Sequence, residues 1–133
     1  MDADILKLWD AGQAKLKERL SDMDHGSIDC YLDLLKLTLE TIDFELHDGG
    51  IQSIDYGDYQ GTLIFVWAEA TYQPTTHSTF YTSVEYGSCS GCDTLQRILE
   101  IGYDEKFTES QVDDLWTLCL HMMQCTKKIS QED

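Results

Sequence analysis

The hydrophobic pattern of this chain changes period twice, and that succession limits the folds open to it more than any other feature. From Asp4 to Leu20, the residues Ile5, Leu8, Trp9, Ala11, Ala14, Leu16 and Leu20 recur mostly at three- and four-residue intervals, with Lys7, Lys15, Lys17 and Arg19 between them. Such spacing gathers apolar side chains on one side of a helix with about 3.6 residues per turn. Ser21-Asp-Met-Asp-His-Gly26 interrupts it, and Ser27 or Asp29 can cap a second helix bearing Ile28, Tyr31, Leu32, Leu34, Leu35, Leu37, Leu39 and Ile42.

Beyond Gly49-Gly50 the period falls to two. Ile51, Ser53 and Asp55 alternate with Gln52, Ile54 and Tyr56 up to Tyr59-Gln-Gly61, which predicts one arm of a hairpin. The returning run Thr62–Ala70 is too apolar for an edge, so a central strand is expected there. After the region of Pro74, Thr79–Tyr86 supplies a third strand of an antiparallel meander. The helical period then resumes. Asp93 is placed to cap a short helix to Glu100, and Thr108-Glu-Ser-Gln111 has capping-box form ahead of a last helix through Val112, Leu115, Trp116, Leu118, Cys119, Met122 and Ile129. The resulting order, α-α-β-β-β-α-α, predicts an α+β fold with helices packed on a small three-stranded antiparallel sheet. Its 133 residues suit a single domain, 1–133, with an apolar content of 42% to form the core.

Charge narrows the partners. The net charge is −16, from 25 acids against 9 bases, and the acids are spread from Asp2 to Asp133. A surface of that sign repels nucleic acid and anionic membranes and attracts basic proteins. The first residues are acidic where a signal peptide would be basic, and no run approaches the ~18 apolar residues of a membrane span. A cytoplasmic protein is therefore expected, and its five cysteines read as thiols, metal ligands or packing residues in preference to disulfides.

Cys89-Ser-Gly-Cys92 lies between the third strand and the short helix. A Cys-x-x-Cys turn can present two thiolates to one tetrahedral ion, with Gly91 easing the curl of the backbone. His121 and Cys125 stand four apart on the last helix and can complete a Cys3His zinc set of Cys89, Cys92, His121 and Cys125, with Cys119 as a substitute ligand. The same residues have a plainer use, since buried cysteine packs as a small hydrophobe. Dithiol redox chemistry is a further alternative, because a thiol ahead of a helix is acidified, although a thioredoxin-like protein would carry the motif after an early strand. Zinc nucleobase deamination does not fit: no Pro-Cys-x-x-Cys is present, and no histidine is followed two positions later by glutamate. No Walker pattern occurs, and the aromatic residues of the strands have no basic patch beside them, which argues against a single-strand nucleic-acid platform.

The runs Ile54-Asp-Tyr-Gly-Asp-Tyr-Gln-Gly-Thr-Leu-Ile64 and Tyr81-Thr-Ser-Val-Glu-Tyr-Gly-Ser-Cys-Ser-Gly-Cys-Asp-Thr-Leu-Gln96 resemble small acidic proteins encoded by bacteriophages and prophages, among them anti-CRISPR inhibitors. The resemblance implies a non-enzymatic protein acting in the host bacterial cytoplasm. Its partner would be a basic nuclease or another nucleic-acid-binding protein of host defence, and any zinc would be structural. RNA-guided nucleases hold nucleic acid in positively charged channels, for which an acidic protein can compete. The contacting residues would then be exposed acids such as Asp29, Asp33, Asp55, Asp58, Asp113 and Asp114. A phage binding or structural protein with another partner stays open as the alternative, as does a monomer or a homodimer.

Overall fold

The first helix is set by its cap. In the computed structural model, which describes residues 2–55, 61–70, 78–87, 94–99 and 105–129, the buried Asp2 carboxylate accepts the N–H groups of Asp4 (3.0 Å) and Ile5 (3.3 Å) and opens α1, Ala3–Asp22. Two otherwise unpaired helix-terminal donors are thereby satisfied. Ile5, Trp9, Gly12, Leu16 and Leu20 are buried in one stripe at helical spacing. Ala11 and Ala14, which the spacing assigns to that stripe, are exposed.

The second helix, α2, Tyr31–Thr41, starts later than its sequence suggests. Ser27 lies in a 3-10 turn, His25–Ser27, and Ile28 is buried in an extended conformation, so the chain must first deliver that side chain to the core. Cys30 takes the N-cap position without a side-chain cap, and the Asp33 carboxylate instead accepts the N–H of Asp29 (3.1 Å). The helix ends on Asp43 at φ 62, with Phe44 N–H bonded to Leu39 C=O (2.9 Å) and Asp43 N–H to Glu40 C=O (3.2 Å). That is a Schellman motif with aspartate where glycine is usual.

The strands β1, Leu46–Asp55, β2, Gly61–Glu69, and β3, Thr79–Gly87, form the expected antiparallel meander. β2 is central and carries the buried Phe65 and Trp67 on the face turned to the helices. β1 begins before Gly49-Gly50, which lie within it as part of an irregularity between Leu46 and Ile51. After the short helix α3, Thr94–Leu99, comes α4, Glu109–Gln124, opened by the anticipated capping box: Gln111 N–H donates to Thr108 Oγ1 (3.2 Å) and Thr108 N–H to Gln111 Oε1 (2.9 Å). The Asp93 cap lies outside the described residues.

Two expectations are corrected at the end of the chain. The last helix does not reach Ile129, and among the described residues the sheet has four strands, in the order β1-β2-β3-β4, with β4 formed by Lys127–Lys128. The cause is local: the Thr126 hydroxyl donates to Met122 C=O (2.7 Å), the chain turns, and Lys127 and Lys128 pair with Tyr81 and Phe80. The α+β class stands, and no helix among the described residues is long and apolar enough to cross a membrane.

α1 lies against α4 through Trp9 and Trp116, whose ring centroids are 5.4 Å apart, and Trp116 Nε1 donates to Gln13 C=O (3.1 Å). Near α1's N-terminus, Lys128 Nζ reaches the carboxylate of Asp4 (2.7 Å) and lies 3.9 Å from that of Asp2, joining β4 to α1. The ammonium holds the Asp4 carboxyl below its ordinary range, and hydrogen bonding to Asp4 raises Lys128. A lowered carboxyl pKa adds stability that is present above the unfolded value, about 3.9, and is lost as pH falls through the folded one. The raised ammonium adds stability present below its unfolded value, about 10.4, and lost in stronger alkali. Lys128→Gln should therefore cost stability between these limits, and the gap from the parent should close in acid. Urea midpoints measured across pH check this; a gap that persists below pH ~2 would rule out the ion pair as its source.

Candidate functional site

A backbone carbonyl of α4 ties the C-terminal half of that helix to β3. Met122 C=O accepts both the Thr82 hydroxyl (3.0 Å) from the sheet and the Thr126 hydroxyl (2.7 Å) from the turn. Both threonines are buried. This clamp fixes which side of α4 meets the strand, and an open cavity of about 320 Å³ remains beside it, lined by Ser83, Val84, Leu118, His121, Met122 and Cys125. His121 and Cys125, one helical turn apart, are both exposed and both border this cavity.

An imidazole and a thiol on one cavity wall are half of a tetrahedral set. The other half of the expected set, Cys89 and Cys92, lies outside the described residues. β3 ends at Gly87 and α3 starts at Thr94, so the motif falls between strand and helix as the sequence suggests. Among the described residues no three of His, Cys, Asp and Glu gather at a metal-binding spacing. Cys119 is no substitute ligand: it is fully buried on the core side of α4, and burial pushes its thiol up to about 12. A thiol so desolvated stays protonated and packs as a hydrophobe. Cys30 and Cys125 are exposed.

The acids assigned to partner contact are distributed over three elements. Asp29 is exposed just before α2, and Asp33, half-buried in its first turn, is engaged with the Asp29 backbone. Asp113 and Asp114 are exposed on α4, where Asp113 pairs with Lys17 at 2.8 Å. Asp55 is the last residue of β1, and Asp58 lies outside the described residues. Asp29 and Asp114 thus keep uncommitted carboxylates at the surface, whereas Asp113 and Asp33 have local duties.

Two features had no sequence signal. An open groove of about 610 Å³ separates α1 from the start of α4, with Ala14, Phe107 and Val112 in its walls and Lys17, Glu18 and Asp113 beside them. Its walls come from elements far apart in the chain. Trp67 Nε1–H is buried with no hydrogen-bond partner among the described residues, a rare state for a buried donor.

Fold and surface together define a class: an α+β domain with a strongly acidic exterior and a His/Cys-lined cavity at the helix–sheet junction. Comparison with protein-family models, with curated proteins and with solved structures returns no match for this chain.

Proposed function

We propose that this protein is a non-catalytic acidic inhibitor of phage or prophage origin, which acts in the bacterial cytoplasm on a basic nucleic-acid-handling defence protein. In the manner of anti-CRISPR proteins, it would block DNA loading or access of an RNA-guided nuclease. The observation that supports this most is where the charge sits. Among the acids whose side chains are described only Asp2 is buried, and Asp2, Asp4, Glu40 and Asp113 lie in ion pairs. Exposed carboxylates stand on every helix but the short α3, among them Asp10, Glu18, Asp22, Glu109 and Asp114, and Asp24, Asp43, Glu45, Asp48 and Glu105 are exposed between or beside them, so the folded domain projects a field that a lysine- and arginine-lined channel neutralises. Competition with nucleic acid then follows from shared cations, since both ligands release the same counterions.

The test is binding to purified RNA-guided nuclease complexes across a salt titration, with Asp29→Lys/Asp114→Lys as the variant. These two carboxylates are exposed and unpaired among the described residues, so the fold should be retained. Affinity should fall with salt, and the double reversal should weaken it about tenfold, which corresponds to ~1.4 kcal/mol. Unchanged affinity and unchanged inhibition in the variant would refute the electrostatic mechanism.

A structural zinc ion held by Cys89, Cys92, His121 and Cys125 belongs to the same proposal, supported by the meeting of His121 and Cys125 on one cavity wall. Such an ion would join the segment after β3 to the end of α4 and would add folding free energy. Mass spectrometry of untagged protein should find one zinc per chain, lost in Cys89→Ser and in Cys125→Ser. Metal-free protein with all four ligand residues intact would reject the site.

A further inference from the structure

Lys17 shows what kind of group the junction of α1 and α4 accepts. Its ammonium lies 2.8 Å from the Asp113 carboxylate and 5.8 Å from the centre of the Trp116 ring. A cation on an aliphatic stem is thus held there by an acid and an aromatic ring. Both members of that ion pair stand at the groove of about 610 Å³ between α1 and the start of α4. The rest of the groove offers the same chemistry. Exposed Ala14 and buried Phe107 and Val112 give it apolar walls, and Glu18 and Glu109, one from each helix, add exposed carboxylates. Among the described residues the ion pairs do not include either glutamate.

This lining selects the occupant. A hydrated divalent ion gains nothing from apolar walls, since it needs oxygen on every side. A second copy of this chain is a poor occupant as well, because two chains each carrying −16 would meet acid to acid. Arginine suits both parts of the groove: its stem covers apolar surface, and its weakly hydrated, planar head serves more than one carboxylate. The groove is larger than one side chain, so an apolar neighbour of that arginine enters with it.

We infer that the groove between α1 and α4 receives an arginine-bearing amphipathic segment of a basic protein partner, with its guanidinium against Glu18 and Glu109 and its apolar residues against Ala14, Phe107 and Val112. The inference rests on the partner being basic, as in the proposed function, and adds the place where it docks: the apolar walls supply affinity and the two carboxylates supply orientation.

The experiment uses the full chain and two capped peptides of equal length and charge, one combining arginine with leucine and one in which serine replaces every leucine. Peptide affinity at low salt and backbone amide chemical shifts are read. The arginine–leucine peptide should bind about tenfold more tightly than its serine counterpart and should move the amide signals of residues 14–21 and 107–113. Ala14→Arg, at an exposed position one helical turn before Glu18, seats the chain's own arginine in the groove and should abolish that difference. Ala11→Arg adds the same charge at an exposed position that does not line the groove, and should preserve it. If Ala14→Arg alters the urea midpoint, Ser21→Arg, also exposed and on the groove wall, takes its place. Equal affinity for the two peptides, or an equal response of the groove variant and Ala11→Arg, overturns docking in the groove and leaves charge-driven binding standing. No binding of either peptide at low salt overturns both.

Discussion

Gly12→Ala should lower the unfolding free energy by about 1–3 kcal/mol, the range for overpacking a close-fitting interior. Alanine is the better helix former by about 1 kcal/mol, so propensity alone predicts the opposite sign. Geometry decides against it. A Cβ on Gly12 would lie 2.8 Å from Ile42 Cα and 2.9 Å from Ile42 Cγ2. The first of these is backbone and cannot rotate away, so α1 and the end of α2 must separate, with loss of contact along the whole stripe from Ile5 to Leu20. A urea midpoint that falls at unchanged slope checks the prediction. A rise would mean that the helices do not cross at Gly12.

Trp67→Ala should be costlier, about 3–5 kcal/mol, a large share of the 5–15 kcal/mol by which domains are commonly stable. Trp67 is 2% exposed at the centre of the sheet and stacks on Phe80, with ring centroids 6.2 Å apart; Phe80 in turn meets Phe44 edge-on at 5.5 Å. Its removal opens a cavity bounded by strands on two sides, which cannot close without disturbing the ladder. Trp67→Phe separates packing from polarity. It shortens the ring but also removes an N–H that has no partner, so it should cost much less than the alanine variant. Equal losses in the two variants would show that the indole N–H is satisfied in solution.

The elements were legible where one local rule governs them. The three- and four-residue spacing of Ile5, Trp9, Leu16 and Leu20 predicts α1, the pairing of Thr108 with Gln111 predicts the start of α4, and the apolar run from Leu63 to Ala68 predicts a central strand. Errors fell where two rules compete. Ser27 and Asp29 are good capping residues, but burial of Ile28 outweighs either cap and delays α2 to Tyr31. Ile129 continues the helical spacing from Met122, yet the Thr126 hydroxyl and the open side of β3 recruit the chain into β4 instead. For the candidate site, the pairing of His121 with Cys125 could be read from their spacing, whereas the exclusion of Cys119 required knowing which side of α4 is core.

By itself the sequence determined the helical and extended segments, the α+β class and the negative sign of the surface, because periodicity, capping and net charge depend on residues near in the chain or on their sum. Only the tertiary structure decided that Gly12 is a point of backbone contact, that Lys128 joins the last strand to the first helix through Asp4, and that Met122 C=O clamps α4 to β3. Each of these depends on the distance between residues remote in sequence, and that distance is set by how helices and sheet pack against one another.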